Sequence, residues 1–282
     1  MHSVIRKVLW PLSASLLLVA SATAMQGSRT IAKIRTLTAE QEEILSHMSI
    51  VYLNDGQGGT VKTLRIGGIN VQIVNDSGTT DGAPDGLGNL IVGYNELRGA
   101  GDDRTGSHNL VTGRRNNYTS FGGLIVGMQN EISGRWSSVS GGLSNTAIGE
   151  YSSVSGGNSN TASVISSSVS GGIFNTTDGY YSSISGGIGN TTTGLFSSIS
   201  GGGTNIASGT SVSISGGRYN AASGYASSVS GGLKNTTSGS FSSVSGGSYN
   251  TASGYASSVS GGAYRSSAGS EDWVAGTLFE DN

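Results

Sequence analysis

The sequence predicts an all-β protein, a β-solenoid of 15-residue coils with one short helix near its N-terminus. Three observations predict it: a strict 15-residue period, polar–apolar alternation inside each period, and turn-forming stretches of Gly, Asn and Ser between the alternating segments. Gly-Gly pairs begin at positions 141, 156, 171, 186, 201, 216, 231, 246 and 261, nine units without drift. Helical repeats need units of roughly 30 residues or more, so this period excludes them. The "SSVS" segments alternate with the period of a strand, and Gly and Asn supply the turns. Parallel stacking of such coils about 4.8 Å apart puts identical residues in register. After the N-terminal segment the only proline is Pro84, so no unit loses a backbone donor.

Each column of the repeat has a physical role. Two residues before the first Gly stands a β-branched apolar residue: Val139, Val154, Val169, Ile184, Ile199, Ile214, Val229, Val244 and Val259. These form the expected core column. Three residues after the second Gly stands Asn in eight of the nine units: Asn145, Asn160, Asn175, Asn190, Asn205, Asn220, Asn235 and Asn250. A stacked Asn column predicts an amide ladder along the solenoid. The ninth unit has Arg265 there instead. Looser spellings, "LIVGYN" (90–95), "LVTGRRN" (110–116) and "LIVGMQN" (124–130), extend the period upstream, with a loop "ELRGAGDDRTGSH" between the first two. One apolar residue per coil is little burial for ordering 15 residues. A second buried face, supplied by another copy of the chain, is therefore expected.

Composition narrows the class. The 282 residues include 48 Gly and no Cys, only 11% are charged, and the net charge is −2. Disordered chains are commonly charge-rich and lack a register, so the periodic chain reads as ordered. Nucleic-acid partners demand a basic footprint that this chain lacks. Residues 1–24 read as a secretory signal peptide: Arg6 and Lys7, an apolar run from Val8 to Ala20, then small residues at Ala22 and Ala24. No other apolar run reaches the about 18 residues of a membrane helix. The expected location is outside the cell, secreted or on its surface, with no disulfide framework.

The remaining segments follow in order. Residues 25–60 form an N-terminal segment with a helix over 38–53, opened by a capping box at Thr38 and Gln41 and striped by Leu37, Ile44, Leu45, Met48 and Val51 or Tyr52. Residues 61–135 hold strands and degenerate coils, with alternation at Leu64, Ile66, Ile69, Val71 and Ile73. The nine-unit solenoid covers 136–265. Residues 266–282 carry Trp273, Val274, Leu278 and Phe279 among acids and read as a terminal cap.

Chemistry-bearing residues are sparse. The three histidines are His2, His47 and His108, and no Ser/His/Asp arrangement or nucleophile elbow is legible. "DGQGG" and Asp102–Asp103 lack the alternating ligands of a calcium loop. No metal, cofactor or catalytic residue is expected. The candidate ligand surface is the variable pair before each Asn: Phe174, Tyr219, Tyr249 and Tyr264, with Arg218 and Lys234. Tyr180, Tyr225 and Tyr255 recur at a second variable site, where packing against a neighbour is an equal expectation.

"SSVSGG" and "LIVGMQN" resemble the head repeats of trimeric autotransporter adhesins, the YadA-like family, over residues 90–265. The opening "EILSHMSIVYLNDGQGGTVKTLRI" is also similar to secreted repeat proteins with such coils. The resemblance implies a left-handed parallel β-roll, a homotrimer and adhesion to an extracellular-matrix protein, glycan or cell-surface ligand. The chain lacks the stalk and C-terminal barrel of that family, so anchoring by its own membrane domain is not implied. The expected function is non-enzymatic multivalent display. Two other classes are consistent with the repeat. An ice- or crystal-binding solenoid would use the Thr column 146, 161, 176, 191, 236 and 251, interrupted by Ile206 and Ala221. A carbohydrate-active enzyme on a solenoid would need clustered acids that the repeats lack.

Overall fold

A computed structural model describes residues 37–276, and the expected signal peptide lies outside them. The chain divides into two units, one through Asn70 and one from Val71.

The first unit is one helical turn pair and a hairpin. Helix α1 spans Ala39–Ser46. The Thr38 hydroxyl accepts from the Gln41 N–H at 3.2 Å, and Gln41 Oε1 accepts from the Thr38 N–H at 3.0 Å. The helix is shorter than the expected 38–53. Met48–Asn54 forms strand β1 instead, paired antiparallel with β2, Thr60–Ile66, in the register Met48↔Ile66. The reason is in the residues: Ile50, Val51 and Tyr52 fit a pleated strand better than a helix, and a partner rich in Thr, Val and Ile follows. The alternation past β2 does not become a strand; Ile69, Val71 and Ile73 lie in irregular, exposed chain.

The second unit is a parallel β-solenoid. One sheet has 13 strands and contains β3 (Leu90–Val92), β4 (Leu110–Arg114), β6 (Leu124–Met128) and β8 (Ser138–Val139). The other has 11 strands and contains β5 (Asn117–Tyr118), β7 (Glu131–Ile132) and β9 (Thr146–Ala147). Successive coils pair in register, Ser153↔Ser168 and Thr161↔Thr176, through the whole array. A third ladder of single parallel bridges runs Met128, Leu143, Asn158, Ile173 and onward to Ala263.

The upstream coils show what the first glycine of each pair does. Leu110, Leu124 and Ser138 are partners in one ladder, a step of 14 residues. There the five residues Leu124–Met128 form one strand. In the later coils one extra glycine splits that strand into Ser138–Val139 and the bridge at Leu143, and the step becomes 15. The array also runs one coil beyond the expected end. Trp273 pairs with Ser258 and Val274 with Val259, so this part of the expected cap is another coil. Leu278, Phe279, Glu280 and Asp281 lie outside the described residues. Among the described residues no helix is long and apolar enough to cross a membrane.

Candidate functional site

The interior of each coil fixes where its corners point. Val139 and its eight equivalents are buried, 0–1% exposed. A second inward column was missed by sequence reasoning: Ala147, Ala162, Thr177, Thr192, Ala207, Ala222, Thr237, Ala252 and Ser267 are all fully buried. Its signal was the small residue two places after each Asn. Position Ser137 and its equivalents are buried as well. The two small columns complement one another. Ser182 and Thr192 hydroxyls meet at 2.8 Å, and Thr237 donates to Ser227 at 3.0 Å. Where Val212 replaces the serine, the facing residue is Ala222, and both join one apolar cluster.

The Asn ladder uses every polar atom of each side chain. Asn160 N–H donates to Asn145 Oδ1 at 3.0 Å. Asn145 Nδ2 donates to Gly141 O of its own coil at 3.1 Å and to Gly157 O of the next at 3.0 Å. The pattern begins at Asn116 and Asn130 and repeats through Asn250. Arg265 closes it: its N–H donates to Asn250 Oδ1 at 2.9 Å, while its Nε is buried without a partner. These buried, fully bonded Asn side chains are structural ties between coils.

At two corners of each coil one residue adopts a left-handed backbone, a non-glycine residue everywhere in the repeats except at Gly189. The first corner holds the candidate ligand surface. Phe174, Tyr219, Lys234, Tyr249 and Tyr264 all occupy it, with φ between 53° and 58°. Arg218 stands one residue earlier in its coil. The structure thus brings Arg218, Tyr219, Lys234, Tyr249 and Tyr264 together over four consecutive coils, with Phe174 three coils before Tyr219. Lys234 Nζ lies 5.0 Å from the Tyr249 ring centre and 3.4 Å from its hydroxyl. The Arg218 guanidinium lies 5.5 Å from the Tyr219 ring. Tyr249 and Tyr264 stack at 4.9 Å with ring planes 12° apart.

The second corner carries a longer aromatic row than the sequence analysis named. Trp136, Tyr151, Tyr181, Phe196 and Phe241 take left-handed backbone there, one residue before the buried serine. Trp136 stacks on Tyr151 at 5.1 Å and Tyr181 on Phe196 at 5.2 Å. Tyr225 and Tyr255 meet Phe241 edge-on at 5.4 and 5.6 Å. Tyr225 and Tyr255 pack along this row, Tyr180 precedes Tyr181 in it, and all three remain half exposed. Their signal was present as aromatic residues at 15-residue spacing.

Titratable groups are used locally. Among the described residues no three His, Cys, Asp or Glu side chains gather as metal ligands. His47 Nδ1 lies 3.0 Å from Gly67 O, and in the other unit His108 Nδ1 lies 3.1 Å from Thr80 O. Asp55, in "DGQGG", accepts from the N–H groups of Gln57 and Gly59 at 2.8 Å, which hold its carboxyl below the usual range. Asp102 pairs with Arg104 at 2.5 Å, and the Arg104 contact lowers it likewise. Asp103 accepts from Thr105. A cleft of about 370 Å³ is lined by Gln72, Val74, Asn75, Asp76, Thr80 and His108, among others.

No protein-family model matches the chain, and no curated protein matches it.

Proposed function

We propose that this chain is an exported, non-enzymatic β-solenoid that acts by multivalent display, as an adhesin-like or matrix-forming surface protein. One observation carries the reading: a fixed coil presents a freely varied residue at the same left-handed corner in coil after coil, and it is bulky at Phe174, Tyr219, Lys234, Tyr249 and Tyr264. Contacts repeated along a stiff stack sum by avidity even when each is weak. Buried columns hold the backbone, so the corners vary without cost to the register.

A homotrimer, with left-handed coils, is part of the proposal. The apolar surface of the N-terminal elements supports association, and the three copies and the left hand rest on the resemblance to the YadA-like head repeats. Helix α1 and the β1–β2 hairpin contain no fully buried residue, and Ile44, Leu45, Ile50, Tyr52 and Leu64 are more than half exposed. A lone hairpin is marginal in water, and exposed apolar clusters of this kind mark association sites.

Light scattering of residues 25–282 tests the assembly: three times the chain mass is expected, and a stable monomer would overturn the trimer. Adhesion of the purified protein to matrix proteins, glycan arrays and cells tests the display. Binding to none of them, without self-assembly, would overturn it. An ice- or crystal-surface role has one supporting observation, the in-register Thr146, Thr161, Thr176 and Thr191. Thermal hysteresis in a nanolitre freezing assay would replace display by that reading.

A further inference from the structure

We infer that Arg218, Tyr219, Lys234, Tyr249 and Tyr264 form a binding strip for an extended polysaccharide bearing carboxylate groups. The inference rests on the display reading and names its ligand class. Charge segregation is the first support. Within the coils from Ser137 to Gly262 the charged residues are Glu150, Asp178, Arg218 and Lys234. Both cations stand at the first corner. Both acids stand on the chain between the Thr-Ala strand and the buried serine, around the second corner. A carboxylated chain laid along the first corner therefore meets attraction and no facing acid.

The strip is also pre-organised. Lys234 is held over the Tyr249 ring, and Arg218 over Tyr219. Cations held on aromatic faces lose less freedom on binding than free side chains. Tyr264 is 76% exposed and is the last ring of this stack among the described residues. Coil spacing of about 4.8 Å sets the pitch at which a linear ligand meets successive side chains.

The same geometry selects against other partners. An extended peptide would bind by pairing with free backbone groups. At this corner the N–H groups of Tyr219, Lys234, Tyr249 and Tyr264 already donate to carbonyls of the preceding coil, at 2.9–3.0 Å. A nucleic acid strand carries a charge about every 3.4 Å, far denser than two cations over four coils. A polyuronate, with its charges spread along sugar rings, matches the sparser strip.

The test is equilibrium binding of the mature chain to alginate, neutral dextran and single-stranded DNA, at low and high salt. Alginate binding that weakens with salt and exceeds both other polymers is expected. The pair R218E and K234E together should weaken it about tenfold, and Y264A several-fold. D178N and F241S, at the opposite corner, should leave it unchanged. Unaltered circular dichroism and melting temperature will show that each variant folds. Equal binding to dextran or DNA would overturn the ligand class. Alginate binding unaffected by R218E with K234E would overturn the strip while leaving display intact. A wild-type chain that binds no glycan, matrix protein or cell would overturn both.

Discussion

The two corners of each coil solve one steric problem in different ways. Both place a residue of varied size in a left-handed backbone, and both depend on a neighbouring glycine that lies against the next coil. At the first corner a Cβ on Gly232 would sit 2.1 Å from Gly247 O, and Gly232 has φ of +87°. At the second a Cβ on Gly239 would sit 1.9 Å from Gly254 O, without a positive φ. The first glycine is unbroken through all nine units, whereas Val164 stands in the second column. There the Ser167 hydroxyl accepts from the Val164 N–H at 3.3 Å, while Ser197 and Ser242 donate to the carbonyls of Gly194 and Gly239. A close approach alone is relieved by a local shift. A close approach combined with a glycine-only dihedral is not.

Gly232→Ala is therefore the largest expected effect, a loss of about 3 kcal/mol or more in chemical denaturation. Gly239→Ala should cost about 1–3 kcal/mol. Gly231→Ala, whose Cβ would meet nothing within 4 Å, should stay within about 0.5 kcal/mol. An equal cost for Gly232→Ala and Gly239→Ala would break the distinction between the corners. Next comes Asn205→Ala, just past the first corner. It removes the acceptor for the Asn220 N–H and the donor to the carbonyls of Gly201 and Gly217. The buried Asn220 N–H is left unpaired and Gly201 O loses this donor, while Gly217 O keeps the Gly203 N–H, so the loss should be about 2–3 kcal/mol.

Serines just past the second corner sharpen the comparison at lower energy. Ser182→Ala strands the buried Thr192 hydroxyl and should cost about 1–2 kcal/mol. Ser152, whose buried hydroxyl has no partner, should tolerate Ala or gain stability. A pH-dependent effect lies outside both corners, at Asp85. The Leu87 N–H, the Ser107 hydroxyl and Asn75 Nδ2 donate to its carboxylate and lower its pKa. Its stabilising contribution is present above the usual carboxylate pKa and is lost as pH falls through the lowered value. The melting-temperature difference between wild type and D85N should therefore disappear in acid. A difference that persists there would refute this role for the carboxylate.

What was legible in the sequence was whatever repeated in side-chain type. Val139, Asn145 and their equivalents could be placed as core and ladder because identical residues recur every 15 positions. The third ladder was hidden because only its backbone repeats: Leu143, Asn158, Gly203 and Arg218 share a position and nothing else. The Ala147 column was hidden by size, since small residues beside Asn read as turn. Trp273 concealed the coil that continues at the C-terminal end, because a bulky residue among acids stands where serine stood before. The helix was overextended because Ile44, Met48 and Val51 satisfy a helical spacing while β1 gains a strand partner. At the candidate site, the first corner was found from its variability. Trp136, Tyr151, Tyr181, Phe196 and Phe241 were not named there, though they recur at the same step.

The Asn ladder has a consequence for covalent modification. Asn175, Asn190 and Asn235 each open an Asn-Thr-Thr triplet, the acceptor pattern for N-linked sugar. Each is fully buried, and each side-chain nitrogen already donates to two carbonyls. In the folded coil these triplets are closed to a transferase, and a glycan added before folding would occupy the nitrogen that ties one coil to the next.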